Sequence, residues 1–246
     1  MRVVVIGASS GVGKEVANVF SKKGHKVICG SRDGKELARL VSDLKIRYGN
    51  TAHDAPVDIT QTSSIKEFIE KIYELFSTID CVVVTSGTMP PNDVPYYDEK
   101  SLINTTKTNY LGIVLVLNEI SHRMAIQKSG LIICLSSVAG ERGRQGNFIY
   151  GASKSALNTY LQGLRMKMHK YNVRVVTVLP GYVDTLMSYG KVKKQFAISP
   201  RIVAEQIYQL TGNSKNIVYI PAVWRLIMFI IKLIPETIFK RIGSDF

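Results

Sequence analysis

The sequence predicts a doubly wound α/β domain: a parallel sheet of seven strands with helices on both faces, ending in a hydrophobic, basic helical tail. Three observations carry that prediction. Short apolar runs alternate with longer stretches of helical periodicity along most of the chain. The runs are continuously apolar, which marks strands buried on both faces and therefore parallel. The length also fits, since 246 residues with 46% hydrophobic and 21% charged side chains suit one large domain.

The elements follow in order. Residues 3–6 form an apolar strand, a glycine-rich turn follows, and residues 12–23 carry a helical pattern. Residues 27–30 are the second strand and 35–48 the second helix. Residues 51–57 read as a third strand and 63–77 as a helix. Residues 81–85 are the fourth strand, followed by a loop with Met89, Pro90, Pro91 and Pro95. One long helix is predicted over 99–127, a fifth strand over 131–135, and a helix over 150–171. The sixth strand, 173–179, stops at Pro180-Gly181; a short helix over 201–210 leads to a seventh strand at 217–220. No internal repeat or linker interrupts this order. The predicted division is therefore one α/β domain over 1–220 and a tail over 221–246.

Charge narrows the classes of function. The net charge is +13, and residues 165–246 hold 13 basic against four acidic side chains, a net of +9 in a third of the chain. Such an excess suits a phosphorylated ligand or an anionic membrane surface. Nucleic acid fits poorly, because the basic residues interleave with aliphatic rather than stacking aromatic side chains. The three cysteines, Cys29, Cys81 and Cys134, each lie in a predicted buried strand. None belongs to a metal-ligand spacing, so no metal is expected and the compartment reads as the reducing cytoplasm. No signal peptide is expected, since the first strand starts at Arg2, and no run reaches the roughly 18 apolar residues of a spanning helix.

The first strand runs into Gly7-Ala8-Ser9-Ser10-Gly11-Val12-Gly13. Glycines at this strand-to-helix turn let the backbone approach a pyrophosphate at a helix N-terminus, as in Rossmann-type dinucleotide sites. The strict GxGxxG pattern is incomplete, with Val16 at the third glycine's place. At the end of the second strand an NAD site usually carries an acid; here Gly30-Ser31-Arg32 stands instead. Ser31 leaves room for a 2′-phosphate and Arg32 offers it a charged fork, so NADP(H) is predicted over NAD(H). Asp33 reads as the cap of the next helix.

Tyr150 and Lys154 are four residues apart and share a helix face. An ammonium beside a phenol draws the phenol's pKa toward the working range, which makes the pair a candidate proton donor. With the glycine loop, Tyr150-Gly151-Ala152-Ser153-Lys154 resembles the short-chain dehydrogenase/reductase family over roughly residues 1–220. The resemblance implies further roles. Ser137, thirteen residues before Tyr150, matches the catalytic serine, and Asn109 the asparagine that supports a proton-relay water to Lys154. Asp58 with Ile59 matches the adenine-side segment. Thr85, Ser86 and Gly87 match the loop after the fourth strand, and Pro180-Gly181, Val183 and Thr185 the segment at the nicotinamide. Two positions depart from the family: Ile6 replaces a threonine, and Val84-Thr85-Ser86-Gly87 replaces Asn-Asn-Ala-Gly. The resemblance also implies a homodimer or homotetramer.

A narrower resemblance, over residues 137–142, 147–150 and the tail from 219 to 242, is to polyprenyl-phosphate keto-sugar reductases of the decaprenylphosphoryl 2-keto-ribose type. It implies a lipid-linked sugar ketone as substrate. The rival readings are another lipophilic ketone, of 3-ketosphinganine or acyl type, and a regulator or scaffold that binds NADP without turnover. Arg142 and Arg144 border the predicted site and are candidate contacts to a substrate phosphate. In the tail, residues 223–234 are almost wholly apolar, with Arg225 and Lys232 on one side and Lys240-Arg241 beyond. That pattern suits a helix lying in a membrane interface, on the cytoplasmic face, or one packed on protein. Pro235 ends or kinks it.

Overall fold

The computed structural model describes residues 1–49, 51–89, 99–187 and 197–242. Its elements are β1 (Arg2–Ile6), α1 (Gly11–Lys22), β2 (Lys26–Gly30), α2 (Gly34–Tyr48), β3 (Ala52–Asp54), α3 (Thr62–Leu75) and β4 (Cys81–Val84). After the loop come α4 (Glu99–Thr106), a π-helical turn (Lys107–Leu111), α5 (Gly112–Gln127), β5 (Gly130–Leu135), α6 (Phe148–His169) and β6 (Val173–Pro180). The chain closes with α7 (Pro200–Gln209), β7 (Ile217–Ile220), α8 (Trp224–Leu233) and α9 (Glu236–Phe239).

The seven strands form one sheet in the order β3-β2-β1-β4-β5-β6-β7, parallel at every pairing. Alternate side chains of each strand feed two cores. Val4, Ile28, Val82 and Ile132 meet Ile65, Phe68, Leu117 and Leu161 from α3, α5 and α6 on one face. Val3, Val5, Val83 and Ile133 meet Val16, Phe20, Leu40 and Ile207 from α1, α2 and α7 on the other. Both sheet faces are dry, which is why the strands are apolar throughout. Strand order reverses between β1 and β4, and the carboxyl ends of the strands there open the crevice where such sheets bind ligands.

Two elements differ from the sequence expectation. β3 is shorter than predicted and ends at Asp54, although Ala55 and Val57 still donate to the Cys29 and Ser31 carbonyls and keep the chain beside β2. The long helix over 99–127 is interrupted by the π-helical turn, which inserts a residue and turns Asn109 inward. The tail helix ends before Pro235, as expected, and a second short helix, α9, starts after it. Pro90, Pro91 and Pro95 lie outside the described residues.

Candidate active site

A cleft of about 870 Å³ opens over the carboxyl ends of the strands. Its floor is the β1–α1 turn. Gly7 and Gly11 have φ of +92° and +53°, values that L side chains rarely adopt. A Cβ on Gly13 would overlap the Gly7 carbonyl, so α1 can approach β1 this closely only with glycine there. Gly7 is equally confined, since a Cβ would meet the Ser86 amide at 2.7 Å and Thr85 Oγ1 at 2.8 Å. Thr85 donates from Oγ1 to the carbonyls of Ile6 and Gly7, tying the loop after β4 to the glycine turn.

The first turn of α1 contains no acidic residue, and the Ser10 side chain makes no cap bond. The positive end of the helix dipole therefore faces the cleft uncompensated. At the end of β2, the buried Ser31 hydroxyl has no hydrogen-bond partner among the described residues and lies on the cleft wall beside Arg32. Asp33, next along the wall, accepts from the Glu36 amide at 3.0 Å and so caps α2. A glycine cradle that a Cβ would fill, free helix N–H groups, an orphaned hydroxyl and a guanidinium fit a dinucleotide with a 2′-phosphate. Asp58 and Ile59 stand on the neighbouring wall, with Asp58 fixed by the amide and hydroxyl of Thr60 at 2.9 and 2.8 Å.

The opposite wall carries Ser137, Tyr150 and Lys154. Ser137 caps the short helical turn after β5 by accepting from the Ala139 amide at 3.1 Å. Tyr150 stands in the first turn of α6, on the same wall of the cleft as Ser137, whose hydroxyl acts on its phenol. Burial raises the phenol's pKa and outweighs the lowering effect of Ser137. Lys154 is not among the groups that move this phenol, so the lowering expected from the sequence does not occur and the net shift is upward. Lys154 is 3% exposed; burial brings its ammonium down to about 8, and Nζ donates to the Leu135 carbonyl at 3.3 Å. Its Nζ lies 5.8 Å from the Tyr150 ring centroid. Cys134 is close by, but burial pushes the thiols of Cys29, Cys81 and Cys134 each up to about 12, so they stay protonated.

Asn109 lies behind the wall, fully buried. Its amide exchanges two bonds of 2.7 Å with the backbone of Thr88 and donates to Ser153 Oγ at 3.0 Å. Ser153 in turn donates to the Tyr150 carbonyl at 2.7 Å. The π-helical turn thus fastens the Gly87 loop to the start of α6. A Cβ built on Gly87 would stand 3.4 Å from Lys154 Nζ and 3.5 Å from Asn109 Oδ1, so the groups converge on one spot.

Gly181, Val183 and Thr185 follow Pro180 along the far rim, with Thr185 against Gly11. Arg144 also lines the cleft, and its guanidinium reaches Met228 Sδ at 3.4 Å. Arg142 does not reach the cleft. Its guanidinium points to the tail, where it donates to the Ile234 carbonyl at 3.1 Å and Glu236 at 2.9 Å and stacks on Phe239 at 4.3 Å. Sequence reasoning missed Trp224. This residue of α8 packs so tightly on Gly181 that a Cβ there would overlap the indole, and it meets Tyr182 edge-on at 5.7 Å. The signal that could have found it is the chain's lone tryptophan, four residues past a strand end that faces the crevice. Among the described residues no group of His, Cys, Asp or Glu could hold a metal ion.

The profile of the family described as short chain dehydrogenase matches residues 1–195. An uncharacterized oxidoreductase of Staphylococcus saprophyticus is 32% identical over 216 residues, 86% of this chain and 91% of its own. A dehydrogenase/reductase SDR family protein 7-like of Drosophila melanogaster is 31% identical over 222 residues, 84% of this chain and 68% of its own. Among solved structures, a short-chain dehydrogenase from Sphingobium yanoikuyae in complex with NADPH superposes with TM-score 0.82 at 19% identity, covering 96% of both chains. An actinorhodin polyketide ketoreductase with NADPH gives 0.80 at 21%, covering 89% of this chain and 94% of its own. At these identities the structural likeness speaks to the fold.

Proposed function

The chain belongs to the short-chain dehydrogenase family, and from that premise we propose that it is an NADPH-dependent reductase of a lipophilic ketone. The observation that carries this reading is the convergence in one cleft of the Ser137–Tyr150 hydroxyl pair, the buried Lys154 ammonium and the glycine cradle. Two neighbours of the same fold are complexes with NADPH, which supports the cofactor, as do Ser31 and Arg32. Gly7, Ser9, Ser10, Gly11, Val12 and Gly13 would cradle the pyrophosphate, and Asp58 and Ile59 would flank the adenine. Lys154 would hold the nicotinamide ribose, with Thr85, Ser86, Gly87, Pro180, Gly181, Val183 and Thr185 around the nicotinamide end.

Bound there, NADPH supplies hydride to a carbonyl carbon. Ser137 donates a hydrogen bond to the carbonyl oxygen and fixes its place. Tyr150, kept as a phenol by burial, gives that oxygen its proton. The Lys154 cation stabilises the phenolate left behind, and Asn109 steadies the loop that faces it. Reduction thus needs both Tyr150 and Lys154 protonated at the start.

For the substrate, Trp224, Tyr182, Leu186, Met187 and Val138 give the open end of the cleft a largely apolar lining, and Arg144 adds a cation. Together with the resemblance of residues 137–150 and the tail, this supports a keto sugar carried on a polyprenyl phosphate. Arg144, rather than Arg142, is the candidate for the phosphate. Oxidation of NADPH by the purified protein, with ketones graded in chain length and with or without a terminal phosphate, tests this. Turnover should rise with both, and NADPH binding without turnover of any carbonyl would favour a non-catalytic regulator.

A further inference from the structure

The tail helix α8 has two apolar faces. One is used: Met228 is fully buried against Val138 and Leu179, with Trp224 and Ile231 beside it. Polar clamps hold that face down, since Glu141 accepts from Tyr219 at 2.9 Å and from Lys232 at 2.7 Å. The opposite face consists of Val223, Leu226, Phe229, Ile230 and Leu233, each between 55% and 66% exposed. Their spacing of three, three, one and three sets them in one stripe. Ile238 of α9 adds another exposed aliphatic side chain, 54% accessible, to the same tail. A contiguous exposed stripe of this kind on a folded chain marks a contact surface.

Charge decides what touches it. Arg225 and Lys232 lie seven apart along one flank of the stripe, and Lys240 and Arg241 follow α9. The acid within the described tail, Glu236, is bridged to Arg142, and Arg225, Lys240 and Arg241 form no ion pair among the described residues. A second copy of this chain would bring cations against cations. An anionic bilayer offers an apolar interior for the stripe and phosphates for the flank. No helix among the described residues is long and apolar enough to cross a membrane, and α8, roughly 15 Å long, is suited to lie flat.

We propose that the exposed face of α8, with Arg225, Lys240 and Arg241, is a docking surface for an anionic lipid bilayer, and that it brings the mouth of the cleft to the membrane. The inference rests on the lipid-linked substrate reading for its purpose, and it has a structural reason of its own: Trp224, on the inner face of this helix, lines the cleft. A substrate anchored by its lipid would then reach Tyr150 without leaving the bilayer.

The test is co-sedimentation of the full chain with vesicles of phosphatidylglycerol or of phosphatidylcholine, alongside its solution mass and NADPH affinity. The wild type should bind the anionic vesicles and release at high salt. Leu226→Gln with Phe229→Gln should weaken partitioning more than ~10-fold. Arg225→Glu with Lys240→Glu should do likewise without touching an apolar group. NADPH affinity and solution mass should be unchanged in both variants. The proposal is overturned if the wild type ignores anionic vesicles or if the variants bind them as well as it does. It is equally overturned if the glutamines only dissociate an oligomer, since a second copy then covers the face. Loss of NADPH binding with vesicle binding intact would instead strike the reductase reading alone.

Discussion

At Lys154 the physical chemistry of a single buried residue has consequences for both stability and rate. Its ammonium titrates near 8 in the fold against 10.5 in the open chain, because burial disfavours the charged form. The unfolded chain therefore holds more protons between those values, and stability rises as pH climbs from about 8 toward 10.5. Lys154→Met removes the burial cost, so it should raise stability at neutral pH by roughly 1–3 kcal/mol, read by thermal melts, while abolishing turnover. Catalysis has the opposite slope: kcat/KM for NADPH should fall as pH rises through about 8, as the ammonium is lost. A flat profile would show that Lys154 is not needed as a cation. Arg32→Ala should weaken NADPH binding roughly 10–100-fold and leave NADH affinity nearly unchanged in fluorescence titrations, since it removes a charged hydrogen bond to one phosphate. Tyr150, Lys154 and Arg32 were legible because each type is tied to its chemistry by local spacing, whereas Ser137 came only from the family resemblance. Arg142 was misread because sequence proximity to Ser137 says nothing about which way a long side chain turns. It turned toward carbonyls at the end of α8 that the sequence had no means to place beside it.

Among the elements, the strands were legible from their apolar runs and the helices from their caps, as Asp33 at α2 shows. What periodicity could not give was the π-helical turn at Lys107–Leu111, because one inserted residue leaves the apolar pattern on either side intact. Its cause is tertiary: Asn109 bonds Thr88 and Ser153, and Gly112 sits under the Ile59 carbonyl where no Cβ fits. The tail helices depend on the loop after β5, through Glu141 and Arg142. Arg142→Ala should therefore speed amide exchange across residues 224–239 at least severalfold, while the melting temperature of the domain shifts little, because the core clusters on both sheet faces exclude this contact. Unchanged exchange there would mean that the apolar contact of Met228 alone holds α8.

For the whole molecule, the sheet order puts its switch point between β1 and β4, and every group of the proposed chemistry is hung around that crevice. The net charge of +13 resolves into local parts: Arg32 and Arg144 on the cleft, and a basic flank beside an exposed apolar stripe on the tail. The chain's division at residue 220 is less sharp than composition suggests, since Trp224 of the tail is part of the cleft wall. The account stands most directly on Tyr150 as the proton donor to a reduced carbonyl. The measurement is single-turnover oxidation of bound NADPH by an activated 1,2-diketone, comparing the wild type with Tyr150→Phe at equal cofactor occupancy. Removing the phenol's proton while keeping its ring should slow hydride transfer by about 10²–10⁴-fold with NADPH affinity within a factor of about two. A Tyr150→Phe protein that oxidises NADPH as fast as the wild type would contradict the account.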